Sequence, residues 1–93
     1  MATGTIAHPR PFQYVDDTAA RADITLTSGG YFRVVPPSLP TGAKIISVAI
    51  VAWTSATGAF SVMPYGTGAA EAYILGTPSV TIKGLKLRFW YVI

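Results

Sequence analysis

The sequence has no cysteine, which excludes disulfides, thiolate nucleophiles and cysteine-ligated zinc together. Stability must therefore come from packing or from subunit contacts. Charge is also scarce, at 12% of residues against a typical ~25%. One histidine and four carboxylates are a thin inventory for catalysis, which needs convergent acid, base or nucleophile groups. The expectation is a protein that is not an enzyme and uses no cofactor. Helical periodicity is missing as well, since no stretch keeps a 3.6-residue period beyond about one turn. The longest apolar stretch, Ile45 to Trp53, is broken by Ser47 and falls far short of the ~20 residues a spanning helix needs. No membrane insertion is expected. Residues 1–6 show no charged-then-apolar leader, so the expected site of synthesis and assembly is a cytoplasm.

The 93 residues suffice for one domain. A chain of this mass hides roughly two-thirds of its surface on folding, enough for one modest core. Hydrophobic residues nevertheless make up 51% of the chain. That is more apolar surface than such a core absorbs, and it points to a homo-oligomer. The net charge of +3 comes from seven basic residues against four acidic ones. Only Lys83, Lys86 and Arg88 cluster, so a nucleic-acid partner is not expected.

Short runs rich in Val, Ile, Thr, Tyr, Phe and Trp, bounded by Gly and Pro, predict an all-β fold: a small antiparallel β-sandwich of about eight strands. Residues 1–11, with Pro9 and Pro11 removing backbone donors, predict an extended N-terminal arm. Residues 12–93 form the domain. Phe12 to Val15 reads as a short edge strand, and Asp16 to Ala22 as either a single helical turn or a loop. Asp23 to Thr27 and Tyr31 to Val35 read as a hairpin around Ser28-Gly29-Gly30. The proline-rich stretch Pro36 to Gly42 predicts a crossing loop, and Ser55 to Gly58 a turn before a return strand over residues 59–63. Ala72 to Leu75 is a further short strand.

Lys44 to Trp53 is the most informative strand. Strict alternation puts Ile46, Val48 and Ile50 on one face and Ile45, Ala49, Val51 and Trp53 on the other. Both faces are apolar, whereas a two-layer sandwich covers only one face of each strand. A sister subunit is the natural cover for the second, which makes Ile45, Ala49, Val51 and Trp53 candidate interface residues. In the last segment Val80 and Ile82 are apolar at even positions, and Leu85, Leu87, Phe89, Tyr91 and Ile93 at odd ones. Gly84 sits at this switch, as expected of a β-bulge. Lys83, Lys86, Arg88 and Trp90 then share a face.

Basic groups beside an aromatic platform suit sugars as well as nucleic acids, and exposed aromatic faces offer apolar contact at low entropic cost. Tyr65, Tyr73, Lys86, Arg88 and Trp90 are thus candidates for a ligand or glycan surface. The plainer alternative is a solvated face that guards the last strand against edge-to-edge pairing. His8, in the proline arm, reads as a surface or interface residue. Asp16, Asp17 and Asp23 lack the ligand spacing of a calcium loop. Gly66-Thr67-Gly68 has no following lysine or helix and reads as a turn.

The stretches from Thr57 to Gly66 and from Thr77 to Phe89 resemble the C-terminal domains of bacteriophage tail fibres and receptor-binding proteins, or small phage head-fibre and decoration proteins. The likeness lies in strand rhythm and turn placement and covers most of residues 23–93. It implies a jelly-roll-like sandwich assembled as a homotrimer in the virion, with other virion proteins and a host-surface glycan as partners. Host attachment is the role implied first. Capsid decoration, with residues 3–11 reaching a neighbour, is a second. Apart from the resemblance, the aromatic residues Trp53, Tyr65 and Trp90 leave a free-standing carbohydrate-binding module as a third reading.

Overall fold

A computed structural model of the chain describes residues 13–66 and 70–93. The expected arm, His8 and the Gly66-Thr67-Gly68 turn beyond Gly66 lie outside the described residues. Within them the fold is all-β, with no helix and nine strands. These are β1 (Gln13–Asp16), β2 (Ile24–Thr25), β3 (Tyr31–Val34), β4 (Lys44–Ala52), β5 (Ser55–Ala56), β6 (Phe60–Pro64), β7 (Ala72–Gly76), β8 (Thr81–Lys83) and β9 (Lys86–Val92). They form three antiparallel sheets, ordered β1-β9-β4, β2-β8-β5 and β3-β7-β6.

The nesting of these orders has a simple cause. Stepping from Ile24 to Tyr31 along the first run steps from Ile82 back to Leu75 along the last, so β2–β8 and β3–β7 share one register. Backbone bonds outside the strands carry the ladders across the gaps: Leu26 N–H to Val80 O (2.8 Å), Gly76 N–H to Gly30 O (2.9 Å) and Thr57 N–H to Thr81 O (3.0 Å). The three sheets are therefore stretches of one three-stranded ribbon. Residues 72–92 run down its middle, with residues 13–34 and 44–64 as its two edges.

This arrangement corrects several local expectations. The turn at Ser28-Gly29-Gly30 forms, with Gly30 at a φ of 80° and Thr27 N–H bonded to Tyr31 O at 2.9 Å. Its flanking strands do not pair as a hairpin, because each finds its partner in the last run instead. Ser55 and Ala56, expected in a turn, form β5 against β8. The strand after them returns along β7 and not along β4. Gly84 adopts the expected left-handed conformation, at a φ of 71°, but the chain changes sheets there, so Lys83 leaves the row that Lys86, Arg88 and Trp90 keep.

The ribbon folds so that β4 lies alongside β6, and all three sheets contribute to one core, the compact sandwich-like unit expected. Ile74, Ile82, Leu85, Leu87 and Phe89 are fully buried, each contributing about 1.5–3 kcal/mol of transfer free energy. Val48 and Ile50 pack on this core opposite Phe89 and Leu87. At the first-run edge an ion pair closes the fold. Asp17, 5% exposed, accepts from Arg21 at 2.7 and 2.9 Å and from Leu87 N–H at 2.9 Å. Arg21 also donates to Val35 O at 2.6 Å and rests 5.5 Å from the centre of the Phe89 ring. A buried carboxylate is tolerable here because every contact it makes is charge-assisted.

The alternation expected of β4 fails at its start. A register shift between Ile45 and Ser47 makes Ile46 the extra residue of a bulge. Ile45 consequently turns inward, 2% exposed, and Ile46 outward, 44% exposed. Ile45 is thus a core residue of its own chain and is withdrawn as an interface residue. A second shift between Ile50 and Ala52 leaves Val51 outward, and Val51 and Trp53 are about half exposed. Ala49 is partly buried beside Arg88.

Candidate functional site

Three surface features are built by this ribbon: two aromatic–arginine clusters on outer sheet faces and one uncharged edge. On the β1-β9-β4 face, register sets Tyr14 opposite Trp90 and Asp16 opposite Arg88. Arg88 grips Asp16 through two parallel bonds of 2.7 and 2.9 Å. Its guanidinium lies 4.2 Å from the Tyr14 ring centre and 5.9 Å from that of Trp90, and the two rings are 4.9 Å apart. The bond from Arg88 holds the Asp16 carboxyl below its ordinary value, and the same bond raises Arg88. Lys86 continues this face, opposite Ala52.

On the β3-β7-β6 face, Tyr31, Tyr73 and Tyr65 form a diagonal row. Tyr73 meets Tyr31 at 5.5 Å and Tyr65 at 4.7 Å, both nearly edge-on. Arg33 reaches across β7 to lie 4.8 Å from the Tyr65 ring centre and pairs with Glu71 at 3.0 Å. Desolvation first, then the hydrogen bond with Tyr65, pushes the Tyr73 phenol up.

The five residues expected to form one ligand surface are therefore divided between two sheets. Lys86, Arg88 and Trp90 share the first cluster, and Tyr65 and Tyr73 belong to the second. Tyr14, Asp16, Tyr31, Arg33 and Glu71 complete these clusters without having been expected there. Only the strand register could have revealed them, since Asp16 and Arg88 are distant in sequence. Asp16 and Asp17 are each engaged by an arginine, and the described residues hold no cluster of three or more potential metal ligands.

The third feature is the second-run edge. β4, β5 and β6 are edge strands of their sheets, and the sequence from Ile45 to Ala70 contains no charged residue. Two hollows meet along it at Ala59 and Phe60. One is bounded by Ile50, Trp53, Ala56 and Gly58, with Trp53 set edge-on to Phe60 at 5.8 Å. The other, about 530 Å³, continues over Leu75, Gly76 and Pro78. No charged side chain lines either. Comparison with family models, with curated proteins and with solved structures gives no match, so the functional reading rests on this geometry and on the residues themselves.

Proposed function

We propose that the protein is a structural protein of a bacteriophage virion, a jelly-roll-like β-sandwich that works as a homotrimer in tail-fibre or receptor-binding attachment to the host surface. The observation that carries the reading is the exposure of Ile46, Val51, Trp53 and Met63, each 44–54% exposed, on or beside edge strands without any charge to keep them apart. Natural edge strands are usually blunted by charges, proline or bulges; this edge has two bulges in β4, Lys44 at its start and Pro64 at the end of β6, but no charge from Ile45 to Ala70, and that uncharged run supports the reading of a partner-facing edge. The nested strand order, that of a rolled antiparallel ribbon, supports the jelly-roll-like description. The trimer and the virion location come from the resemblance in strand rhythm to phage fibre tips. The two aromatic–arginine clusters then remain on the periphery, where an attachment protein meets other virion proteins or a host glycan.

Light scattering on the purified chain at micromolar concentration tests this reading. It expects a mass of three times the 9.8 kDa chain. A particle of single-chain mass would remove the basis for self-assembly.

A further inference from the structure

Resting on the self-assembly just proposed, we infer that copies meet along the second-run edge, the double hollow around Trp53, Ala59, Phe60 and Pro78 being occupied by the same uncharged run of a second copy. The occupant follows from charge. Each copy carries a net charge of +3, so a contact between copies is favoured where it brings no charged side chain against its counterpart. The run from Ile45 to Ala70 meets that condition on both sides of a self-contact, because neither copy brings a charged group of this run to it. The corresponding hollow on the first-run edge fails it, being lined by Arg21, Asp23 and Arg33 along with Phe32 and Val35.

The shape agrees with the charge. Trp53 is 54% exposed while its ring is steadied edge-on by Phe60, which is the arrangement of a large aromatic anchor that still has apolar area to bury. The floor beside it is closely packed. A Cβ added to Gly76 would stand 2.7 Å from Ala59 O, and one on Gly58 2.9 Å from a Val80 methyl. Burying the hollow leaves the Arg88–Asp16 pair outside the contact, since neither residue lines it, whereas Tyr65 of the Arg33–Glu71 cluster lies in the uncharged run itself.

The test places the same change on each edge of the full-length chain. Ala59→Glu puts a carboxylate at the exposed junction of the two hollows, and Ala22→Glu puts one in the charged hollow of the first-run edge. Sedimentation velocity is expected to show Ala59→Glu dissociating to single chains, its dissociation constant raised roughly tenfold or more by a charge buried without a partner, while Ala22→Glu keeps the wild-type mass. Circular dichroism and thermal melting check that both variants stay folded. In a Trp90→Phe background the fluorescence of Trp53 supplies an independent readout, with emission expected to shift to the red on dilution as the contact opens. A folded Ala59→Glu chain that assembles like the wild type overturns the groove contact and leaves self-assembly standing. Emission from Trp53 that does not change across a dilution that dissociates the oligomer also overturns the contact. A wild-type chain that is single at every concentration overturns both.

Discussion

The two edges of the ribbon have nearly equal length and the same partner, the run over residues 72–92, yet they are finished in opposite ways. The first-run edge carries Asp16, Asp17, Arg21, Asp23 and Arg33, and four of these side chains are held in ion pairs at 2.7–3.0 Å, Asp16 with Arg88, Asp17 with Arg21 and Arg33 with Glu71. The second-run edge has no charge beyond Lys44 and exposes Ile46, Val51, Trp53 and Met63. An edge strand presents unpaired N–H and C=O groups in either case. One edge is thus finished with paired charges, and the other, whose strands β4 and β6 lie alongside each other, carries none beyond Lys44. In so small a domain, that asymmetry is what the proposed assembly rests on.

The comparison can be broken or sharpened by substitution, beginning with the largest effect. Ile45→Ala opens a cavity in the chain's own core and should cost about 2–5 kcal/mol in denaturant unfolding. Val51→Ala, six residues further along β4 and outward, should change folding stability by no more than about 0.5 kcal/mol. Equal costs would undo the bulge at Ile46 as the reason the two residues face different ways. On the opposite edge, Asp17→Ala strands Arg21 and orphans Leu87 N–H, and should lose about 2–3 kcal/mol in the same measurement. A loss near zero would mean that the charged edge is a surface decoration and not a seal over Phe89.

The junction between β8 and β9 comes next. Gly84→Ala meets both a positive φ and Thr54, whose Oγ1 would clash with the new Cβ, and is expected to destabilise by about 1–3 kcal/mol. Adding Thr54→Ala should recover part of this by removing the hydroxyl, and no recovery would place the whole cost in the backbone. The smallest effect concerns pH. The Asp16 carboxyl is held below its ordinary value of 3.8 by Arg88. Its contribution to stability is complete above that value and is lost as pH falls through the lower folded value. Asp16→Asn should therefore lower the melting temperature slightly near neutrality, where that contribution is complete, and flatten its fall between about pH 5 and about pH 2.

Much of the strand pattern was legible in the residues, since β3, β4, β6, β7 and β9 follow runs of β-branched and aromatic side chains bounded by Gly or Pro. The short β2 and β5 were harder to see because two residues cannot display an alternation. Pairing was the larger loss. Nearest-neighbour hairpins are the economical inference from sequence, whereas this ribbon joins Gln13 to Tyr91 and Tyr31 to Leu75, contacts that no local pattern encodes. The bulge at Ile46 had a similar effect, because an extra residue reverses every face assignment before it, and Ile45 changed sides for that reason alone. Of the candidate surface, the alternation of Lys86, Arg88 and Trp90 along β9 was visible. Their companions Tyr14 and Asp16 were not, and neither was the separation of Tyr65 and Tyr73 onto another sheet, because both depend on register.

The most direct test of the asymmetry is amide hydrogen exchange of the wild-type chain followed by mass spectrometry at two concentrations. If a second copy covers one edge, peptides spanning residues 44–64 exchange more slowly at the higher concentration, while those spanning residues 13–34 exchange alike at both. Slower exchange in residues 13–34 on concentrating the protein, or none in residues 44–64, would contradict the account.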